Sequence, residues 1–214
     1  MLRHAPAALL LALVACGGDD AAGPPSNTPV LTIAGGDDQI GTLGQPLANP
    51  LRVELRQGGA PLAGQTVNWT NAQGSLNPSS STTDAVGLAS TVWTLPGGSA
   101  PAVLTAQATA SGASAISFTS YGVPAGAQVI EVRNNFFEPG TLTVARNVPV
   151  VWVWRSTSRN HDVDPTQVPT GATWAGQPTV QNGPFVYGFT FTTAGTYRYT
   201  CSVHSGMTGT ITVN

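Results

Sequence analysis

The sequence predicts an all-β protein built as two β-sandwich domains, and three observations carry that prediction. Charged residues make up only 8% of the 214, lysine is absent, and Gly, Pro, Ser and Thr crowd between short apolar runs. That is the composition of many short strands joined by tight turns. Within the runs, apolar and polar residues alternate with a period of two: Leu51, Val53 and Leu55 interleave with Arg52, Glu54 and Arg56, which buries one face and wets the other. No segment carries a helical period, and a chain of this length suffices for two small cores.

The first domain is expected over residues 29–121. Its runs are Val30–Ile33, Leu51–Arg56, Thr66–Thr70, Leu88–Leu95, Val103–Ala108 and Ala115–Ser120, separated by turn signals such as Gly58-Gly59-Ala60-Pro61 and Pro96-Gly97-Gly98. Trp69 and Trp93 sit within strands and are expected in the core. This stretch contains no His, Cys, Met or Lys, and its acidic residues are scattered, so it lacks the usual participants of a catalytic site. The turn-forming stretch Tyr121-Gly-Val-Pro-Ala-Gly-Ala127 ends it.

The second domain is expected over residues 128–214, with runs Val129–Val132, Thr141–Val144, Val150–Trp154, Phe185–Phe191, Thr196–Cys201 and Thr208–Val213. Val150-Val-Trp-Val-Trp154 is apolar on both faces, as expected of a strand in the middle of a packed sandwich. Phe185, Tyr187, Phe189 and Phe191 place four aromatic rings on one strand face.

At the N-terminus, Arg3 precedes an apolar stretch from Ala7 to Val14, which reads as an export signal over residues 1–15. The stretch is too short for a mature spanning helix, which needs roughly 20 apolar residues. Leu13-Val14-Ala15-Cys16 resembles the lipobox of bacterial lipoproteins, which implies lipidation of Cys16 and stable anchoring by several acyl chains. Gly17 follows where an aspartate in that group favours inner-membrane retention, so the resemblance implies an extracytoplasmic protein anchored to the outer membrane, facing the periplasm or the cell surface. Residues 16–28, small, polar and proline-containing, are expected to be a tether. Formal charge is −2 and no basic cluster exists, which argues against a nucleic-acid partner.

The inventory of soft ligands is informative. Beyond the signal and Cys16, the chain holds two histidines, one cysteine and one methionine: His161, His204, Cys201 and Met207. Three of the four crowd into Cys201-Ser-Val-His204-Ser-Gly-Met207. An exported thiol is either paired or at risk of oxidation, and Cys201 lacks a partner once Cys16 is acylated. Tyr197, Tyr199 and Cys201 alternate with Arg198 and Thr200, which places the sulfur at a strand end. The short loop after it can present His204 and Met207 to the same point. His161, expected in the loop after Val150–Trp154, is left to complete the set. Two imidazoles and a thiolate with a weak methionine sulfur suit copper held for electron transfer, whereas structural zinc prefers four strong ligands. Four protein ligands leave little room for substrate, so an enzyme is not expected.

Two family resemblances follow. Ala60-Pro-Leu-Ala-Gly-Gln-Thr-Val67, Thr83-Asp-Ala-Val-Gly-Leu-Ala89 and Thr94-Leu95 resemble the bacterial immunoglobulin-like domains of the invasin and intimin type, which implies a seven-strand sandwich used as a spacer or adhesive module. The second domain resembles the plastocyanin, azurin and amicyanin group, the cupredoxins, through Asn134-Asn-Phe-Phe-Glu-Pro139, Leu142-Thr-Val144, Trp152-Val-Trp154, His161-Asp-Val163, Phe189-Thr-Phe191, Ala194-Gly-Thr-Tyr197, Tyr199-Thr-Cys-Ser-Val-His204 and Met207-Thr-Gly-Thr-Ile211. That resemblance implies a Greek-key sandwich with one type 1 (blue) copper, with His161, Cys201 and His204 as equatorial ligands and Met207 as the axial one. It also implies His204 as the electron port, and a redox donor and acceptor, such as a cytochrome or an oxidase, as partners. Asp162 departs from the asparagine common after the first histidine, which leaves the redox potential open. The other reading is an envelope adhesion or structural lipoprotein that binds or buffers copper without a redox partner.

Overall fold

The computed structural model describes residues 27–214, so the expected signal, Cys16 and most of the tether lie outside the described residues. Those residues hold strands and turns and no helix. Residues 30–123 supply ten strands: β1 (Val30–Gly35), β2 (Gln39–Thr42), β3 (Leu51–Gln57), β4 (Ala60–Pro61), β5 (Thr66–Asn71), β6 (Ser75–Asn77), β7 (Ser80–Thr82), β8 (Leu88–Thr94), β9 (Ala102–Ala110) and β10 (Ile116–Val123). Residues 128–213 supply nine more: β11 (Gln128–Arg133), β12 (Phe136–Glu138), β13 (Thr141–Val144), β14 (Pro149–Trp154), β15 (His161–Gln167), β16 (Gln177–Gln181), β17 (Phe185–Thr190), β18 (Gly195–Thr200) and β19 (Thr208–Val213).

The first ten strands form two sheets, β1-β3-β8-β6 with β4 beside β3, and β2-β10-β9-β5-β7. Alternation decides which side chains face inward: Leu51, Val53, Leu55, Val67, Trp69, Trp93, Leu104 and Phe118 are buried between the sheets. Trp69 and Trp93 therefore lie in the core, as expected. The strand count exceeds seven because β2, β4, β6 and β7 are two to four residues long and too short to show periodicity in the sequence. In the Thr83–Ala89 turn, Asp84 Oδ1 accepts hydrogen bonds from the amides of Val86 and Leu88, both at 2.9 Å. Gly87 adopts a φ of +79° with the Leu55 carbonyl so close that no Cβ fits.

The other nine strands also form two sheets, β12-β11-β14-β17 and β13-β19-β18-β15-β16. Their shared core centres on Trp152, which is fully buried among Trp174, Tyr187, Phe191 and Tyr199 with ring centroids 5.4–6.4 Å away. The aromatic face expected from Phe185 to Phe191 packs onto this cluster. Gly209 opposes Tyr199 on the neighbouring strand, where a Cβ would stand 2.1 Å from the ring. The all-β class and a sandwich at the C-terminal end are thus both present.

The double-faced burial of β14 has a cause that differs from the expected one. Val150, Trp152 and Trp154 face the sandwich core, whereas Val151 and Val153 pack against Tyr121 and Val123 of β10. A strand in a two-layer sandwich has only one inner face, so the second is covered by the other domain. Pro101 extends this seam by lying against Gly188, where a Cβ would approach it to 2.8 Å.

Candidate metal centre

Strand register brings the candidate residues together. Asp164 on β15 pairs with Thr200 on β18, so His161, three residues before the former, and Cys201, one after the latter, lie at the same end of adjacent strands. Thr200 then pairs with Thr208 on β19, which closes residues 201–207 into a tight connection. The Cys201 amide donates to the Met207 carbonyl at 2.9 Å, the His204 amide to Cys201 at 3.3 Å, and the Met207 amide to His204 at 3.2 Å. His161 is the first residue of β15 rather than a loop residue as expected; a β-bulge between His161 and Val163 hides the strand's period.

Three ligand atoms converge. Cys201 Sγ lies 3.4 Å from His204 Nδ1 and 3.7 Å from His161 Nδ1, and the donor atoms of all three lie within 4.8 Å of one another. Metal bonds of about 2.0–2.3 Å, the range for zinc with these donors, place trigonal neighbours about 3.5–3.8 Å apart, so the spacing fits one ion. Cys201 and Met207 are buried in the same core cluster, and His161 is buried as well, while His204 is partly exposed.

Surrounding groups fix these orientations. Asn134 Oδ1 stands 3.2 Å from His161 Nε2 and accepts a hydrogen bond from the Arg159 amide at 3.3 Å. An oxygen can only accept, so His161 carries its proton on Nε2 and turns the Nδ1 lone pair toward the sulfur. Trp154 Nε1 donates to the His161 carbonyl at 3.1 Å. Asp162, fully buried, accepts the Ser202 amide at 2.7 Å and also bonds the Ser202 hydroxyl, which ties the two ligand-bearing segments together. The aspartate thus has two donors for its carboxylate. Asn134 lies in a motif quoted above but has no sequence signal for this role; Ser202 has none either.

Two of the titratable donors, His161 and Cys201, are pushed toward their neutral forms in the metal-free protein. Burial lowers the His161 pKa from its ordinary 6.5, helped by nearby His204 and opposed by Asp162. Burial raises the Cys201 thiol from its ordinary 9.0, opposed by backbone hydrogen bonds of Asp162 and Val203. The signs of linkage follow. The unfolded chain holds the histidine proton more tightly, so that part of the stability is present above pH 6.5 and is lost as pH falls toward the lower folded value. The unfolded chain releases the thiol proton more easily, so the second part is present below pH 9.0 and is lost as pH rises. The urea midpoint of metal-free protein is expected to fall on both sides of neutral pH, with His161→Gln flattening the acid limb and Cys201→Ala the alkaline one. Unchanged limbs in both variants would contradict these assignments.

A two-sheet β-sandwich that gathers two imidazoles, one thiol and one thioether at one end offers a site for a single soft metal ion. The family of copper binding proteins of the plastocyanin/azurin type matches residues 126–214. Residues 126–214 are thus a domain of that family. Similar solved structures include a reduced amicyanin mutant, at 30% identity over 43% of this chain and 86% of that one with a TM-score of 0.37. Others are a pseudoazurin from Sinorhizobium meliltoi, at 25% identity over 41% and 73% with a TM-score of 0.34, and a purple cupredoxin from Nitrosopumilus maritimus, at 22% identity over 41% and 99% with a TM-score of 0.35. Among curated proteins, none matches. The family binds one copper, and the His-Cys-His-Met group is consistent with a type 1 site.

Proposed function

We propose that this chain is an electron-transfer protein rather than an enzyme, with one copper ion held by His161 Nδ1, His204 Nδ1 and Cys201 Sγ and by the Met207 thioether as the weak fourth donor. The observation that carries this reading is the convergence of the three donor atoms within 4.8 Å at a buried strand end, with His161 Nε2 already committed to Asn134. Copper, when bound, supplies one-electron exchange between Cu(II) and Cu(I). The chain supplies rigidity: Asn134 and Trp154 fix His161, Asp162 locks Ser202 beside Cys201, and the buried Met207 closes the site to water. His204 is the one donor residue of the four that reaches solvent, beside Val203, which is 51% exposed, and this edge serves as the port for redox partners. Residues 29–121 act as an immunoglobulin-like module, and lipidated Cys16 anchors the chain to the cell envelope, with the copper domain in the periplasm or at the cell surface.

The scarcity of charge for docking, 8% of the chain, favours a second reading in which copper is bound or buffered without a redox partner. Redox cycling decides between them. Copper-loaded protein reduced with ascorbate and reoxidised with ferricyanide is expected to recover its full visible absorbance over repeated cycles, and to exchange electrons rapidly with a c-type cytochrome. Copper release on reduction, or no exchange with the cytochrome, would favour buffering.

A further inference from the structure

The loop of residues 155–160 delivers His161, and the first domain grips it. Asp38, in the turn just before β2, has a left-handed φ of +57° and donates its amide to the Thr119 carbonyl of β10 at 2.9 Å. Asp37 Oδ1 accepts the Thr119 amide at 2.7 Å, so this corner is fixed to its own sheet. From there Asp38 Oδ1 accepts three hydrogen bonds: from the Tyr121 hydroxyl at 2.7 Å, the Ser156 hydroxyl at 2.8 Å and the Ser156 amide at 3.3 Å. Arg155 donates to the Asp38 carbonyl and is itself held by Glu131, with Nε to Oε2 at 2.9 Å and Nη2 to Oε1 at 3.0 Å. Such charge-assisted, forked contacts fix direction as well as distance.

Beyond Ser156 the loop continues through bonds that end on a ligand. The Ser158 amide donates to the Arg155 carbonyl at 2.9 Å and its hydroxyl to the Val132 carbonyl at 2.7 Å. The Arg159 amide donates to the same Asn134 oxygen that orients His161. A cleft of about 480 Å³, lined by Asp38, Arg155, Ser158 and Asn134, flanks these ties, so the loop has space to relax once they are cut. The non-polar part of the seam buries Val151 and Val153 against Tyr121 and Val123 beside these ties.

We propose that Asp38 is a positioning residue of the metal centre: by holding Ser156 and Arg155 across the seam, the first domain fixes the loop that presents His161, and is more than a spacer. This rests on the copper reading for its consequence at the metal, but the clamp itself is a property of the metal-free chain.

The test uses the full chain and three variants. Asp38→Ala removes the carboxylate; Asp38→Asn removes the charge while tolerating the left-handed backbone; Val53→Ala opens a cavity in the first domain's own core, away from the seam. In metal-free protein, amide exchange of residues 156–161 is expected to accelerate about tenfold in Asp38→Ala, as a local opening. Asp38→Asn shifts it less, in the same direction, and carries the test alone if the alanine variant folds poorly. In copper-loaded protein, Asp38→Ala is expected to move the copper hyperfine splitting and to speed copper release several-fold, less than the roughly 10–100-fold typical of a residue bonded to a ligand. Val53→Ala leaves loop exchange and spectrum at their unsubstituted values. Loop exchange unchanged in both Asp38 variants, or moved equally by Val53→Ala, would overturn the proposal. A parent chain that binds no copper would instead overturn the copper reading, while the exchange data still judge the clamp.

Discussion

Cys201→Ser is expected to abolish the intense visible absorption of the copper-loaded protein and to weaken copper binding by more than about 100-fold. Residues that merely orient a ligand already cost about 10–100-fold when changed, so loss of the softest ligand itself must exceed that. The substitution is a clean probe because the site is otherwise unaltered. Serine is close to cysteine in size, the surrounding backbone bonds from Cys201 to Met207 and from His204 to Cys201 do not involve the sulfur, and Cys201 is the only free cysteine among the described residues. Competition titration against a chelator of known affinity, read beside the absorption spectrum, measures both effects. A serine variant that kept its colour would mean the thiolate is not the source of it.

Trp152→Ala is expected to lower stability by about 3–5 kcal/mol, the range for truncating a fully buried tryptophan. Trp152 is 0% exposed, stacks on Trp174 at 5.7 Å with a 21° interplanar angle, and meets Tyr199 edge-on at 5.8 Å. Removing it strands four aromatic partners at once, and the two sheets lose their central contact. Trp152→Phe is expected to cost less than truncation for a reason beyond size. The buried indole Nε1 and the buried Tyr199 hydroxyl have only each other, in a contact outside ordinary hydrogen-bond geometry, so phenylalanine also removes a poorly satisfied donor. Urea unfolding of both variants gives the two values. Equal losses for alanine and phenylalanine would contradict the assignment of the stabilisation to ring packing, which phenylalanine largely keeps.

Much of this was legible in the sequence, and what was not has physical reasons. Alternation placed Leu51, Val53 and Leu55 inside, and rarity alone singled out His161, Cys201, His204 and Met207, because soft ligands in so small a number have few other uses. The strand beginning at His161 was missed because a bulge and Pro165 break its period. The apolar run of β14 signalled burial on both faces, yet a run cannot say what covers each face; here one is a sandwich core and the other a neighbouring domain. Asn134 and Asp38 were beyond reach. Their bonds join positions 27 and 118 residues apart, and an Asn or Asp in a turn has the same local pattern whether or not its side chain reaches another loop.

The central claim is a thiolate-bound copper at this strand end. Visible and electron-paramagnetic spectroscopy of the full chain loaded with Cu(II) tests it most directly, since the first sees the sulfur-to-copper charge transfer and the second the spread of the unpaired electron onto sulfur. The structure predicts one copper per chain, an intense visible charge-transfer band and a narrow copper hyperfine splitting. A pale product with the wide splitting of copper bound by nitrogen and oxygen alone would contradict it.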